Sequence, residues 1–202
     1  MNRKQFSVML VSAIVLLFCS QAESAISLRA GMAAPLGESK NLAKTGWTAE
    51  VLADVRPLPV SAFTVVVVFN TSHLAQRKYD FTVAGETHTQ KSQMTFTGGG
   101  IGLRVMPPTP VFKPFGELLG RVSSVQQDFR DNADKASVES KTKLGYEINA
   151  GLRYGVSPGV DLELGGGYTA FSKTKLKHKD TVMEIAPRGW QVFLGVALTI
   201  GL

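Results

Sequence analysis

The segment Lys143-Leu-Gly-Tyr-Glu-Ile-Asn-Ala-Gly-Leu-Arg-Tyr154 indicates the fold most clearly, because apolar and polar residues alternate along it. Every second position is aliphatic or aromatic, namely Leu144, Tyr146, Ile148, Ala150, Leu152 and Tyr154. The intervening positions include Lys143, Glu147, Asn149 and Arg153. Successive side chains of a β-strand point to opposite faces, so the segment predicts a strand with one apolar and one charged face.

The same period of two predicts eight strands in the whole chain. They run from Ile26 to Leu36, Gly46 to Arg56, Phe63 to Asn70, Gln93 to Val105, Pro114 to Val125, Thr142 to Val156, Val160 to Ser172 and Gly189 to Leu202. Eight is an even number, as an antiparallel barrel with both chain ends on one side requires. No apolar run after the first segment is long enough for a membrane-spanning helix, whereas a barrel strand needs only about 9 to 11 residues.

The connections between these strands alternate in length and composition. Long polar connections cover residues 37–45, 71–92, 126–141 and 173–188, and short, often proline-rich ones cover 57–62, 106–113 and 157–159. An up-and-down barrel shows this alternation when one rim carries the extracellular loops and the other faces the periplasm. We therefore predict an all-β fold, an eight-stranded antiparallel up-and-down transmembrane β-barrel with four long extracellular loops.

The charged residues of the predicted strands all lie on the face opposite the apolar one. They are Arg29, Glu50, Asp54, Arg56, Arg104, Glu117, Arg121, Lys143, Glu147, Arg153, Asp161 and Glu163. Basic and acidic members are equal in number, and many glycines share their face. Because an eight-stranded barrel is only wide enough for side chains, we predict a lumen closed by ion pairs and centred on Glu117 and Arg121 with Glu147 and Arg153. Replacing Glu147 with alanine should then cost about 3 to 5 kcal/mol.

The alternative all-β fold is a soluble sandwich or lipocalin-like barrel with an apolar interior and these charges in water. The aliphatic face of the last strand and the glycines on the charged face argue against it. Aromatic residues also cluster at both ends of the predicted strands, as interfacial girdles do.

The first 24 residues resemble a signal peptide. Arg3 and Lys4 precede an apolar stretch from Phe6 to Phe18, and small residues follow it. We predict a signal peptide over residues 1–24 and the barrel domain over 25–202. A lipid-attachment role for Cys19 is the alternative, and the bulky Phe18 before it fits that role poorly. Cys19 is the only cysteine, so an exported domain without it has no thiol or disulfide.

The chain resembles the small outer-membrane β-barrel proteins of Gram-negative bacteria. The segment Lys143 to Tyr154 and the phrase Leu162-Glu-Leu-Gly-Gly-Gly-Tyr168 carry this resemblance, together with the signal segment and the eight alternating strands. The nearest type is the superfamily of the outer membrane protein A transmembrane domain and its single-domain relatives. The resemblance implies a location in the outer membrane, contact with membrane lipid and lipopolysaccharide, and insertion by the barrel-assembly machinery. Such chains usually end in an aromatic residue, and Leu202 departs from that pattern.

Three classes of function remain open. The leading one is a structural or surface-interaction protein without catalytic activity, cofactor, metal or nucleic-acid partner. The second is a lipid-modifying enzyme, for which Ser72, His73 and Asp80 are candidates, although adjacent strand residues point to opposite faces. The third is a narrow pore or small-ligand carrier. A run of glycines from Gly98 to Gly102 lacks the lysine and helix of a phosphate-binding loop.

The last long connection carries a basic repeat. Lys173, Lys175, Lys177 and Lys179 occupy every second position. If the preceding strand continued with unchanged parity, all four would line the mouth of the barrel and attract an anionic surface ligand. The opposite parity or an irregular loop would instead direct them to lipopolysaccharide phosphates on the outer wall, and a solvated loop without a partner is the third possibility.

Overall fold

The computed structural model describes residues 24–56, 62–83, 86–107, 109, 111–131, 134–139, 142–178 and 181–200. Most of the predicted signal peptide, Cys19 among it, lies outside the described residues, as do Lys179 and Leu202. No helix within the described ranges is long and apolar enough to cross a membrane.

The described chain consists almost entirely of β-strands. They are β1 (Ser24–Leu36), β2 (Ala43–Val55), β3 (Phe63–Val83), β4 (Glu86–Val105), β5 (Phe112–Asp131), β6 (Asp134–Glu139), β7 (Lys143–Ser157), β8 (Val160–Phe171), β9 (Thr174–His178), β10 (Thr181–Ile185) and β11 (Arg188–Ile200). A short 3-10 helix, Gly37–Asn41, joins β1 to β2.

Eight of these strands form a closed antiparallel barrel. The hydrogen-bonded order is β4-β3-β2-β1-β11-β8-β7-β5, and pairing of β4 with β5 closes the ring. Neighbours in the ring are mostly consecutive along the chain, and the first strand pairs with the last. The predicted eight-stranded up-and-down barrel is therefore confirmed. We call the end that carries the long connections the upper end and the opposite one the lower end.

Several of the predicted loops are strand rather than loop. β3 and β4 continue as one hairpin through most of residues 71–92, β5 continues upward to pair with β6, and β9 pairs with β10 in a separate hairpin. Backbone ladders form irrespective of side-chain polarity, whereas apolar alternation is needed only where the outer wall meets lipid. The sequence pattern therefore marked the spanning part of each strand and missed its polar extension.

The outer wall of the barrel is apolar and the inside is charged. Large exposed side chains occupy the outward positions of every barrel strand, for example Leu28, Ile101, Leu118 and Leu194. Arg104, between Ile101 and Val105 in sequence, is completely buried. The described strands follow the predicted division of faces, and the soluble alternative, with charges outward, is wrong because it would bury the opposite face.

Aromatic side chains mark both ends of this apolar wall. At the lower end the rings of Phe112 and Tyr154 lie 5.1 Å apart, and at the upper end those of Tyr146 and Tyr168 lie 6.3 Å apart. Amphipathic rings at both boundaries are typical of barrel strands that cross a bilayer. The two pairs mark the ends of the apolar belt on the outer wall.

Candidate functional site

The centre of the lumen is occupied by a layer of directly bonded charges. The Arg29 guanidinium donates to both oxygens of Glu117, at 3.0 Å from Nη1 and 2.6 Å from Nη2, and its Nε donates to Glu163 Oε2 at 2.7 Å. Arg104 Nε donates to Glu117 Oε1 at 2.6 Å. These side chains come from β1, β4, β5 and β8, so the bonds cross the full width of the barrel. We call Arg29, Arg104, Glu117 and Glu163 the central layer.

Two aromatic rings complete the central layer. The Arg29 guanidinium carbon lies 4.3 Å from the centre of the Phe193 ring and 5.3 Å from that of Phe115. Arg104 lies 5.2 Å from the Phe115 ring. A cation over an aromatic face in a desolvated place is attracted by about 2 kcal/mol. The rings therefore fill space and stabilise the same cations that the carboxylates bind.

Glycines on the inner face make room for these rings. A Cβ placed on Gly165 would lie 2.6 Å from Cζ of Phe193, and one on Gly151 would lie 2.6 Å from Cζ of Phe115. Distances this short are well below carbon–carbon contact. The glycines of the charged face thus act as spacers opposite large side chains, which a narrow barrel needs.

Below the central layer the charges continue towards the lower end. Arg153 donates to Glu163 Oε1 from Nε at 2.7 Å and to Asp54 Oδ2 from Nη2 at 2.9 Å, and Asp54 also binds Arg104. Nearer the end, Lys113 Nζ lies 2.9 Å from Asp161 Oδ2. Asp54, Lys113, Arg153 and Asp161 line a cavity of about 200 Å³ that opens at the lower end. The central layer separates this cavity from the upper half of the lumen.

A second charged layer lies above the central one, with longer contacts. Arg121 Nε is 3.4 Å from Glu147 Oε2, and its Nη2 is 3.6 Å from Glu50 Oε1. None of the three guanidinium nitrogens forms a hydrogen bond with a described residue. Glu147 accepts hydrogen bonds from Asn149 at 2.7 Å and Gln191 at 3.2 Å. We call Glu50, Arg121 and Glu147 the upper layer.

A small cavity of about 50 Å³ lies above the upper layer and opens at the upper end. Glu147 and Gln191 form its floor, and Leu74, Phe96 and Phe171 contribute apolar walls. The rings of Phe96 and Phe171 stack at 5.8 Å across the lumen. This mouth is therefore narrow and partly apolar.

The structure places ten of the twelve predicted lumen charges in these buried groups and two at the ends. Arg56 is half-buried beside the lower cavity, and Lys143 is half-buried at the upper start of β7, opposite Ser123. The expected centre differs in one respect, because Glu117 binds Arg29 and Arg104, whereas Arg121 pairs with Glu50 and Glu147. Residues four apart on one strand are about 13 Å apart, too far for contact.

Sequence reasoning missed several inner residues. Lys113 was assigned to a short turn but belongs to β5, and the inward rings of Phe115 and Phe193 were overlooked. Strand parity would have found both rings, since Phe115 is two residues before Glu117 and Phe193 two before Gly195. An apolar patch on the inner faces of β2, β3 and β5 was also missed: Leu52, Val66, Val68 and Leu119. The run Val65 to Val68 is apolar on both faces, so alternation gave no signal there.

Of the candidate catalytic residues, Ser72 and His73 lie on opposite faces of β3. Ser72 faces the lumen, where its hydroxyl lies 2.8 Å from that of Thr48. His73 lies on the outer wall, stacks on Trp47 at 5.9 Å and has Nδ1 3.0 Å from Thr95 Oγ1. The side chain of Asp80 lies outside the described residues. Within the described part of the chain, no cluster of three His, Cys, Asp or Glu side chains is arranged to hold a metal ion.

Comparison of the fold with solved structures finds small outer-membrane barrels. Neisserial surface protein A superposes with a TM-score of 0.55 at 17% identity, over 87% of this chain and 96% of that one. The attachment invasion locus protein of Yersinia pestis, solved with the heparin analogue sucrose octasulfate, gives 0.55 at 14% identity, over 89% and 99%. A major outer membrane protein from Thermus thermophilus gives 0.58 at 12% identity, over 89% and 100%.

At the level of sequence, no family model matches the chain and no curated protein matches it either. Identities this low establish the fold alone, and the apolar outer wall with its aromatic ends agrees with that fold. The chain has the closed eight-stranded architecture of the small outer-membrane β-barrel proteins.

Proposed function

We propose that this protein is a non-catalytic outer-membrane barrel whose lumen is closed by ion pairs and whose upper rim contacts partners at the cell surface. The observation that carries the proposal is the central layer, in which four charged side chains are at most 3% exposed although they lie inside a barrel. Buried charges of this kind are tolerated only when each is paired and hydrogen-bonded. They therefore support a structural role for the lumen rather than a passage.

The closure is tested by single-channel recording in planar bilayers. The wild type should give no steady conductance, and the variant Phe115→Ala/Phe193→Ala should give discrete openings because both removed rings fill the middle of the lumen. Phe112→Ala is the matched control, since it removes an outward ring of the same type. Steady openings in the wild type would contradict a closed lumen and favour the narrow pore.

Contact with a polyanion at the rim is a second candidate, and the solved complex of the Yersinia protein with a polysulfated sugar favours it. Here Lys173 is exposed just above β8, and Lys175 and Lys177 lie on β9 opposite Glu184 and Val182. β8 ends at Phe171 and β9 pairs only with β10, so the lysines do not simply continue β8. We infer that this hairpin, together with Lys179, forms the anion contact.

Replacing Lys173, Lys175, Lys177 and Lys179 with glutamine should weaken binding of a sulfated polysaccharide at low salt and flatten its salt dependence. Exposed charges act over about 8 Å at physiological salt, so the difference should shrink as salt rises. Equal binding by both forms at every salt concentration would remove the hairpin from this function.

The lipid-modifying enzyme remains testable through His73, which lies on the outer wall within reach of lipid. We expect the refolded protein to leave acyl chains and headgroups of added phospholipid unchanged. A lipid product formed by the wild type and lost in His73→Ala would overturn the non-catalytic assignment. Insertion by the barrel-assembly machinery, despite the final Leu202, is a further expectation, tested by depletion of that machinery in cells.

A further inference from the structure

Four basic residues lie directly opposite one another across four neighbouring strands. Lys78 of β3 is the register partner of Lys91 of β4, Lys91 is the partner of Arg130 of β5, and Arg130 is the partner of Lys135 of β6. Directly opposed positions in antiparallel strands share one face and lie about 4.5 to 5.5 Å apart. We call these four positions the basic row.

The basic row belongs to the outer face of the barrel. On β4 the outward positions are the odd ones, as exposed Ile101 and Leu103 show, and register with β5 is unbroken from Val105 up to Gln90. Lys91 is therefore on the outer face, with Lys78 beside it. Lys78 is exposed and Lys91 is half-exposed. None of the ion pairs formed by the described residues involves either lysine.

The row stands on a wall that rises above the rest of the barrel. β3, β4 and β5 have 21, 20 and 20 residues, whereas β1 and β11 on the opposite side have 13 each. Lys91 is four residues above Thr95, which contacts the rim histidine His73 beside Trp47. At about 3.3 Å per residue and a tilt near 40°, the row is roughly 10 Å above that aromatic level.

This height coincides with the headgroups of a surrounding membrane. Aromatic belts mark the edge of the hydrocarbon core, and the polar headgroup region extends several ångströms beyond it. Lysine and arginine stems are long enough to reach phosphates within that region. The basic row therefore lies directly above the apolar outer wall, at the height of the lipid headgroups.

Like charges placed directly opposite one another repel. An anion bound between the four cations would reduce this repulsion. Acidic residues on the same face are fewer. Asp128 lies two positions from Arg130 and accepts a hydrogen bond from Gln93 at 3.2 Å, and Asp80 lies two positions from Lys78. Glu139 of β6 shares this face, four positions from Lys135. Three carboxylates and four cations still leave the face net positive.

We propose that the basic row binds the headgroup of a multiply phosphorylated lipid in the leaflet around the barrel. Such a headgroup supplies several anionic oxygens at the height of the row, and its acyl chains pack on the apolar wall below. The proposal rests on the membrane location proposed above and assigns a specific lipid contact to β3–β6. It is separate from the lysine hairpin β9–β10, which carries the proposed contact with soluble polyanions.

The experiment compares three proteins refolded into zwitterionic vesicles with and without bisphosphorylated lipid A. They are the wild type, Lys78→Gln/Lys91→Gln, and the control Lys40→Gln/Lys44→Gln, which removes two exposed rim charges outside the row. The readouts are the temperature at which the compact gel band is lost and the affinity for fluorescent lipid A. Each lysine near a charged membrane surface contributes about a fivefold factor, so the row variant should bind about 25-fold more weakly.

Lipid A should raise the unfolding temperature of the wild type and the control but not of the row variant, and its dephosphorylated form should do so for none. An equal effect in the row variant would overturn the proposal. The same protection by soluble polyphosphate in plain vesicles would overturn the assignment to a lipid. If the proteins insert but do not respond to lipid A, the lipid contact of the basic row is refuted and the membrane function stands. If none of the three proteins inserts, the proposed membrane function is refuted as well.

Discussion

The central and upper layers of the lumen contain the same residue types at the same burial but differ in their bonds. Arg29 in the central layer forms three hydrogen bonds to carboxylates of 2.6 to 3.0 Å, whereas Arg121 in the upper layer approaches its carboxylates only to 3.4 and 3.6 Å. The central cations also lie against Phe115 and Phe193. On β5, Leu119 of the apolar patch lies between Glu117 of the central layer and Arg121 of the upper layer. Charge and burial alone therefore do not determine how tightly an ion pair is held.

The layers also differ in charge balance. Six carboxylates, Glu50, Asp54, Glu117, Glu147, Asp161 and Glu163, are buried with four arginines, Arg29, Arg104, Arg121 and Arg153, and the half-buried Lys113 neutralises Asp161. The surplus carboxylate belongs to the upper layer, where Glu50 and Glu147 share Arg121. Bonds in the central layer should consequently contribute more to the free energy of unfolding than those in the upper layer. The same type of substitution made in each layer tests this difference.

The largest effect is expected for Glu117→Ala. It leaves Arg29 and Arg104 without their shared carboxylate, and a buried charge that loses its partner costs about 3 to 5 kcal/mol. The measurement is urea unfolding in lipid vesicles, followed by fluorescence of Trp47 and Trp190, both exposed on the outer wall. A loss below about 1 kcal/mol would mean that the central charges are solvated.

Glu147→Ala should follow, at about 3 kcal/mol, the lower end of the range for a buried pair. Thr169 loses its acceptor, Asn149 and Gln191 each lose one of two carboxylate acceptors, and Arg121 keeps Glu50. The same unfolding measurement applies. A loss under about 1 kcal/mol would place water in the upper layer and reopen the narrow-pore interpretation.

Gly165→Ala tests the packing of the central layer rather than its charge. The new methyl would meet the Phe193 ring, so we expect a loss of about 1 to 3 kcal/mol from overpacking. Gly116→Ala is the control, because a Cβ there meets nothing within 4 Å. Equal stabilities of the two variants would show that the rings adapt freely and that glycine is not needed as a spacer.

Glu50→Gln should change the free energy of unfolding by less than about 1 kcal/mol, or stabilise the protein, because it removes the surplus charge without creating a cavity. Glu117→Gln, the same substitution in the central layer, should cost clearly more. Equal losses in both variants would remove the distinction between the layers.

The smallest effect is expected at the lower end. Lys113→Gln breaks the pair with Asp161, but the lysine side chain is 25% exposed, so the loss should stay below about 1 kcal/mol. High salt should abolish it, as it does for solvent-exposed pairs. A salt-independent loss similar to that of Glu147→Ala would indicate that this pair is shielded from solvent.

The alternation of apolar and polar residues predicts which side chains of each strand face the lumen. In β7, Tyr146 and Ile148 had to lie on one wall and Glu147 and Asn149 on the other, because side chains alternate with a period of two in any strand. An eight-stranded closed barrel followed from that period and from the even number of strands. The polar upper parts of β3, β4 and β5 were not predicted as strands, because above the apolar belt the residues no longer alternate between apolar and polar.

Which charges meet in the lumen depends on the packing of the strands around the ring. Glu117 and Arg121 share a strand face, yet Glu117 binds Arg29 from β1 and Arg104 from β4. Partners in a narrow lumen are set by the stagger of the strands around the ring, which brings side chains from opposite walls to one height. Strand register likewise aligned Lys78, Lys91, Arg130 and Lys135, which are far apart in sequence. The period of two determines which face of a strand a side chain occupies. The height of that side chain in the barrel, and the residues it contacts, depend on pairings between segments far apart in sequence.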